Sequence, residues 1–501
     1  MTRRVVVAPL VALAVAAPAQ SRNAALPALD VPAGVRVVSY FPVDAGWTEM
    51  WTKWQPTVIA ADLQRLASLH ANTVRAIVQP NLFGYPHPRR LYAARLRRFV
   101  ALAGGARLHV QLTIFDWWYR WADVRGSETW ARELLAPYAG DTRIAFVELR
   151  NELVVKPQTL AWARTLIPFV RRVLRGRTPV TVSVTGVDPA RRLAALRRGL
   201  APVRPDFFDL HYFGGGGELA LDTFARARRV AEPVPLLVGE TGYPTTPSLS
   251  GYGGVPRTPE AQEAAQGHFL ASVAWAARAD KLPPIGIWTL HDFVPEAVPD
   301  RVVTPLDPEL HYGLLRVDGS EKRAVGVVRA AYSSRAPVAF NNGFEEAVPD
   351  ERGELVPAEW SMLGSGAAFA DDRAVARSGV ASARLTPLGE GTASLSIAPP
   401  NGGVRTGVRV TVQAWARMAG TGVVFTVIEW RDRHNRLLRR DASSPLHPGP
   451  EWGLLLLTAR APTQAAYLRI DLVSQEATAP VWFDDVSFQR GPRTSRNVTN
   501  R

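Results

Sequence analysis

Between residues 35 and 332 the chain alternates short apolar runs with amphipathic stretches eight times, a rhythm that few folds accept. The runs are VRVVSYF (35–41), TVRAIVQ (73–79), RLHVQLTIF (107–115), RIAFVELR (143–150), PVTVSVTG (179–186), FFDLHYF (207–213), PLLVGE (235–240) and IGIWTLHDF (285–293). Their continuous β-branched and aromatic content is that of strands buried on both faces. Apolar residues with a 3.6-residue spacing fill 58–69, 92–103, 129–138, 160–174, 189–200, 219–231, 259–279 and 321–332. Thr258 as cap with Pro259 at the first helical position marks one helix start. The pattern predicts an α/β fold, a (β/α)8 TIM barrel over residues 35–334. A doubly wound open sheet is disfavoured because no glycine-rich phosphate fingerprint follows the first strand.

After residue 333 the helical spacing stops. ASARLTPL, TASLSIAP, VRVTVQAWARM, GVVFTVIEW, WGLLLLTA, AAYLRIDLV and VWFDDVSF follow, punctuated by Gly, Pro and Asn, which predicts an all-β sandwich of the jelly-roll kind over 338–490. Residues 491–501 read as a disordered tail and 20–34 as a linker. Arg3 and Arg4 precede an apolar stretch over 5–17 and then Ala17-Pro18-Ala19, so residues 1–19 read as a secretory signal and the protein is expected to be secreted. No later stretch has the length of a membrane span.

The formal charge of +14 raises the question of a nucleic-acid partner, but only Lys53, Lys156, Lys281 and Lys322 among the 59 basic residues are lysines. The arginines are scattered over helix faces, which indicates solvated surfaces rather than a nucleic-acid footprint. Cysteine is absent, which excludes disulfides and thiolate chemistry.

Two strands end in acid. RIAFVELR runs into Asn151 and Glu152, and PLLVGE ends in Glu240. In a closed barrel the ends of the fourth and seventh strands face each other across the mouth, where such enzymes keep their chemistry. Two carboxylates about 5 to 5.5 Å apart can divide a glycosidic displacement, one attacking the anomeric carbon and one protonating the leaving oxygen. Asn151 is placed to bind a sugar hydroxyl beside the reacting carbon, and Arg75 to hold an ionised Glu240. His211 and Tyr212 end the sixth strand and are candidates to orient a carboxylate. Trp288 offers a face for a sugar ring, and Trp117 is one of several tryptophans that would line a cleft. A barrel-mouth ion pair between Glu240 and Arg75, with Glu152 capping a helix, is the non-catalytic alternative.

The set ANTVR (71–75), ELRNE (148–152), DLHYF (209–213), GETGYP (239–244), IWTLHDF (287–293) and HYGLLRVDGSEKRA (311–324) resembles clan A glycoside hydrolases, nearest to the cellulase-like glycoside hydrolase family 5. The resemblance implies a retaining double displacement on β-linked oligo- or polysaccharides, with Glu152 as acid/base, Glu240 as nucleophile and no catalytic cofactor. Phe213 stands where the family commonly has a tyrosine, which makes Tyr212 or Tyr243 the substitute. A non-catalytic glycan-binding protein and a transglycosylase are the competing readings. The C-terminal part, opening with NNGFEE and ending with WFDDVSF, resembles jelly-roll carbohydrate-binding modules. That likeness implies a structural calcium held by Glu345 with Asp484 or Asp485, a hard-oxygen set. Among its tryptophans, Trp482 is expected in the core, and the others include candidate sugar platforms.

Overall fold

The computed structural model describes residues 26–491 apart from 217, 247–257, 300–302, 334–340, 351, 365, 400–401 and 433–435. The expected signal and most of the expected tail therefore lie outside the described residues. Parallel strands β1 (Val37–Ser39), β2 (Thr73–Ile77), β3 (His109–Thr113), β4 (Ile144–Glu148) and β5 (Val180–Thr181) pair in chain order. β6 (Ser183–Val184), β7 (Phe208–Tyr212) and β8 (Leu236–Thr241) continue the wall. The predicted fifth strand is thus interrupted at Val182. The predicted eighth appears as bridges, with Ile287 paired in parallel to both Thr241 and Val38, and this closes the barrel.

Closure is tight. A methyl group on Gly286 would stand 2.0 Å from the Gly239 carbonyl oxygen, so the last stave approaches β8 more closely than any side chain permits. The closing motif is anchored by Lys322, which donates from Nζ to Asp292 Oδ1 and to Thr245 Oγ1, both at 2.7 Å.

Alternation along each strand sorts the side chains into layers. Val37, Phe146, Phe207 and Leu237 form an apolar floor inside the barrel. Leu29 and Val31 pack against that floor, so residues 26–34 belong to the barrel and are no free linker. Above the floor come buried polar residues, Arg75, Gln111, Glu148 and Asp209. A register shift between Asp209 and His211 then brings Glu240 opposite His211. Leu237 faces inward, so unbroken alternation would have turned Glu240 away from the interior.

The second domain is two five-stranded sheets, each antiparallel, around a separate core that includes Leu395, Val412, Ile428, Trp430, Ile470 and Phe483. Trp482 is half-buried rather than core. Its indole donates to Asp372 at 2.9 Å, and the Arg417 guanidinium lies 5.5 Å from its ring. Trp360 and Trp430 are the buried ones, and the Arg377 guanidinium covers Trp415 at 3.8 Å. The domain rests on the Pro259–Ala279 helix, where Ala261 and Ala264 pack with Val348, Val356 and Ala358.

Gly286→Ala is expected to cost about 2–3 kcal/mol, because the Gly239 backbone that the new methyl meets cannot turn aside as a side chain could. A thermal melt lowered by about 5 °C or more checks it. An unchanged melt would mean that the barrel seam is looser than described.

Candidate active site

At the C-terminal mouth of the barrel lies a cleft of about 880 Å³ whose lining includes Asn151, Glu152, Glu240, Trp47, Trp117 and Trp288. Its polar floor is built around Arg75. That guanidinium is fully buried and donates from Nε and Nη2 to Glu148 Oε2 at 3.0 and 2.8 Å, and from Nη2 to Asn151 Oδ1 at 2.7 Å. Nη1 pairs with Glu240 Oε2. Burial alone would lower the Arg75 pKa, but Glu148, Glu240 and Asp209 outweigh it and raise it.

Glu148 is the residue that sequence reasoning missed. It ends β4, is wholly buried, and also accepts from Gln111, Thr113 and Ser183. Desolvation pushes its carboxyl up, yet Arg75, His211 and the hydroxyls of Ser183 and Thr113 bring it down to about 2. The signal was its place as the first acid of ELRNE. Alternation turns Glu148 inward with Phe146, while Glu152 lies beyond the strand.

Glu152 sits in a turn with φ of +49°, its amide donating to Ser183 Oγ at 2.7 Å, and this turn lifts the carboxyl to the cleft. His211 stands between the two predicted catalytic acids. Its Nδ1 is 3.2 Å from Glu152 Oε1 and 3.5 Å from Glu240 Oε2. Ligand atoms of Glu152, His211 and Glu240 all lie within 4.8 Å of one another, so the two carboxylates meet over one small gap. Burial pushes Glu240 up against the pull of His211 and Arg75, whereas the hydrogen bond and charge of His211 overcome burial and draw Glu152 down. Deeper in the barrel, desolvation lifts Asp209 to about 7.

Arg75, Asn151, His211, Trp288 and Trp117 thus gather at this mouth, as read from the sequence. The two tyrosines do not. Tyr212 follows His211 in the strand and points the other way, with its ring on Phe224 and its hydroxyl donating to the Gly215 carbonyl. Tyr243 packs its ring against Phe269. The tyrosines that do line the cleft are Tyr119 and Tyr312, and the ring of Tyr312 meets Phe213 edge-on at 5.8 Å. Burial, then the charges of Glu309 and Glu240, raise its hydroxyl pKa. It lay unassigned inside HYGLLRVDGSEKRA, and only the fold of that loop shows its direction. Asp116 also lines the cleft and pairs with Arg150 at 3.2 Å.

In the second domain Glu345, Asp484 and Asp485 share one corner. Asp484 accepts from the backbone amides of Arg377, Ser378 and Asp485, and Glu345 accepts from the amide of Val380. Asp485 pairs with the Arg377 guanidinium at 2.5 Å and with Ser378 Oγ at 2.7 Å. Arg377 thus supplies positive charge where a cation would, and among the described residues the groups of three ligand atoms within 4.8 Å lie in the barrel instead.

No protein-family model and no curated protein matches this sequence. Solved structures with which it overlaps include an exo-β-1,4-mannosidase from Opitutaceae bacterium strain TAV5, at 20% identity and a TM-score of 0.46, covering 61% of this chain and 62% of that one. The overlap therefore spans less than two thirds of the mannosidase. A GH5_18 protein from Streptomyces cattleya in complex with GlcNAc overlaps at 19% identity and a TM-score of 0.48, covering 62% and 83%. A GH5_18 protein from Bifidobacterium longum subsp. longum ATCC 55813 gives 18%, 0.48, 62% and 82%. At such identities and scores the overlaps leave the chemistry to be argued from the side chains of this chain.

Glu148 also sets a pH dependence of stability. Its folded pKa lies below the ordinary 4.5, so its contribution is complete above about 4.5 and is lost as pH falls toward 2. That shift corresponds to about 3 kcal/mol. Denaturant titrations of wild type and Glu148→Gln between pH 7 and 2 should show the variant already destabilised at pH 7 and losing less on acidification. Parallel curves would contradict the assignment.

Proposed function

We propose that the protein is a retaining β-glycoside hydrolase that cleaves β-linked oligo- or polysaccharides. The observation that carries this reading is the convergence of Glu152 and Glu240 on one ring nitrogen of His211, inside a tryptophan-lined cleft. Their closeness suits direct attack by one carboxylate and leaves little room for a water between them, as an inverting reaction needs. Glu240 is the nucleophile. Its Oε2 has Arg75 on one side and His211 on the other, two cationic partners for the ionised form. Glu152, on the more open turn, protonates the departing oxygen and later deprotonates water. Asn151, held by Arg75 and hydrogen-bonded to Asp116, lines the cleft within reach of a sugar hydroxyl. Trp288 and Trp117 supply apolar faces.

Hydrolysis of aryl β-glucosides, β-mannosides and β-xylosides, with β-glucan, mannan and xylan as polymers, tests the reading. Glu152→Gln and Glu240→Gln should each lose about three orders of magnitude or more in kcat/KM on the glycoside that wild type cleaves. Azide added to Glu240→Ala should restore turnover and give the glycosyl azide of opposite anomeric configuration. Unchanged turnover in both glutamine variants would sink the proposal, and saturable glycan binding without cleavage would favour a retired barrel.

A structural calcium at Glu345 with Asp484 or Asp485 remains part of the proposal for the second domain, with Arg377 as its internal competitor. If the ion binds, millimolar calcium should raise the melting temperature of chelator-treated protein by several degrees, and Asp485→Asn should abolish that rise. No shift would leave Arg377 as the cation of that corner.

A further inference from the structure

The cleft is larger than the chemistry at its floor requires. Its volume of about 880 Å³ lies near the upper end of the about 300–1,000 Å³ typical of sites that enclose a drug-sized ligand, so more than one sugar ring fits along it. Among the described residues two aromatic side chains are exposed, Tyr119 at 69% and Phe213 at 40%, and both line this cleft. Phe213 follows His211 closely in the chain and so stands beside the reacting groups. Tyr119 belongs to the loop after β3, the third stave, which in an eight-stave barrel lies across the mouth from the seventh, β8 with its Glu240. Glu240 is 6% exposed, so Tyr119 stands at the rim, above the floor that holds the acids.

The loop is built to hold that ring open. Trp118 is buried against Tyr85 and Phe115, with ring centroids 3.9 and 6.0 Å away. Trp121 packs edge-on against the buried Trp162 at 5.1 Å. With these two indoles fixed in the body of the barrel, Trp117 and Tyr119 are left facing the cleft. Tyr119 is supported from the protein side by Trp121, edge-on at 6.4 Å, and by the Arg150 guanidinium 6.0 Å from its ring centroid. Arg150 pairs with Asp116, which is hydrogen-bonded to Asn151 next to Glu152. The exposed ring is thus tied to the reacting end of the cleft without taking part in it. Apolar surface kept in water on a firmly packed loop is a cost that a ligand can relieve.

We propose that Tyr119 is a platform for a sugar unit beyond the two joined by the cleaved bond, so that chain length decides how well a substrate is used. The inference rests on the glycoside hydrolase reading and gives the substrate class as linear β-linked chains of three or more units. A pyranose lays its C–H face on the tyrosine ring and keeps its hydroxyls in water. Contact made there by a remote unit draws the reacting unit into register with Glu152 and Glu240, and binding energy is spent where the bond breaks.

The test is a chain-length series. Wild type is assayed on aryl β-glycosides and on β-linked gluco-, manno- and xylo-oligosaccharides, from the disaccharide to the hexasaccharide. For the sugar it cleaves, kcat/KM should rise about tenfold or more from the disaccharide to the longer chains. In Tyr119→Ala the ratio of kcat/KM for the pentasaccharide to that for the aryl monoglycoside should fall about tenfold, whereas Tyr119→Phe, which keeps the ring, should hold the ratio within about twofold of wild type. The ratio is internal to each variant, so loss of folded protein cancels. A kcat/KM independent of chain length, or an unchanged ratio in Tyr119→Ala, would overturn the proposal. Equal falls in both variants would assign the effect to the hydroxyl and overturn the platform as well. Failure of the underlying reading looks different, as wild type that leaves every oligosaccharide and aryl glycoside intact.

Discussion

One buried guanidinium holds the mouth of this barrel together. Arg75 has no contact with solvent, and its neighbours are Glu148, Glu240, Asn151 and Thr113, drawn from three other strands or the turn after one of them. A cation in such a place is tolerable only with acids around it, and the acids only with the cation. Removing one partner would leave a charge without compensation, at a cost of about 3–5 kcal/mol. Of the two acids on Arg75, Glu148 accepts from three further donors, Gln111, Thr113 and Ser183, and is held deep in the barrel, while Glu240 opens to the cleft. Structure and chemistry are thus divided between two carboxylates on one arginine.

Local sequence made much of this legible. The eightfold alternation was readable because buried parallel strands are apolar throughout, and the strand-end positions of Glu152 and Glu240 followed from it. His211 was readable as an inward residue at a strand end. What escaped depended on geometry that the alternation does not contain. Glu240 enters the site only through the register shift beside Asp209, and Glu152 only through a left-handed turn. Tyr212 was misassigned because a strand end without a bulge at that residue turns it outward. Tyr312 was overlooked because its loop carries no periodic signal, and Trp482 was placed inside because an outer-face tryptophan covered by an arginine has the same alternation as a core one.

The site is also an account of charge. Four carboxyl groups, Glu148, Glu152, Asp209 and Glu240, share Arg75 and His211 as close cationic partners. Arg75 cannot release its proton, so it faces Glu240 as a fixed cation through every change in that carboxyl group. His211 lies between Glu152 and Glu240, so both acids of the cleft face one imidazole nitrogen.

The central claim, that Glu240 forms the bond to the sugar, is tested most directly by trapping. Wild-type protein incubated with 2,4-dinitrophenyl 2-deoxy-2-fluoro-β-glucoside or the corresponding mannoside, then digested and sequenced by mass spectrometry, should carry one fluoroglycosyl group on Glu240. A label on any other residue, or steady cleavage of the parent glycoside with no label formed, would contradict the account.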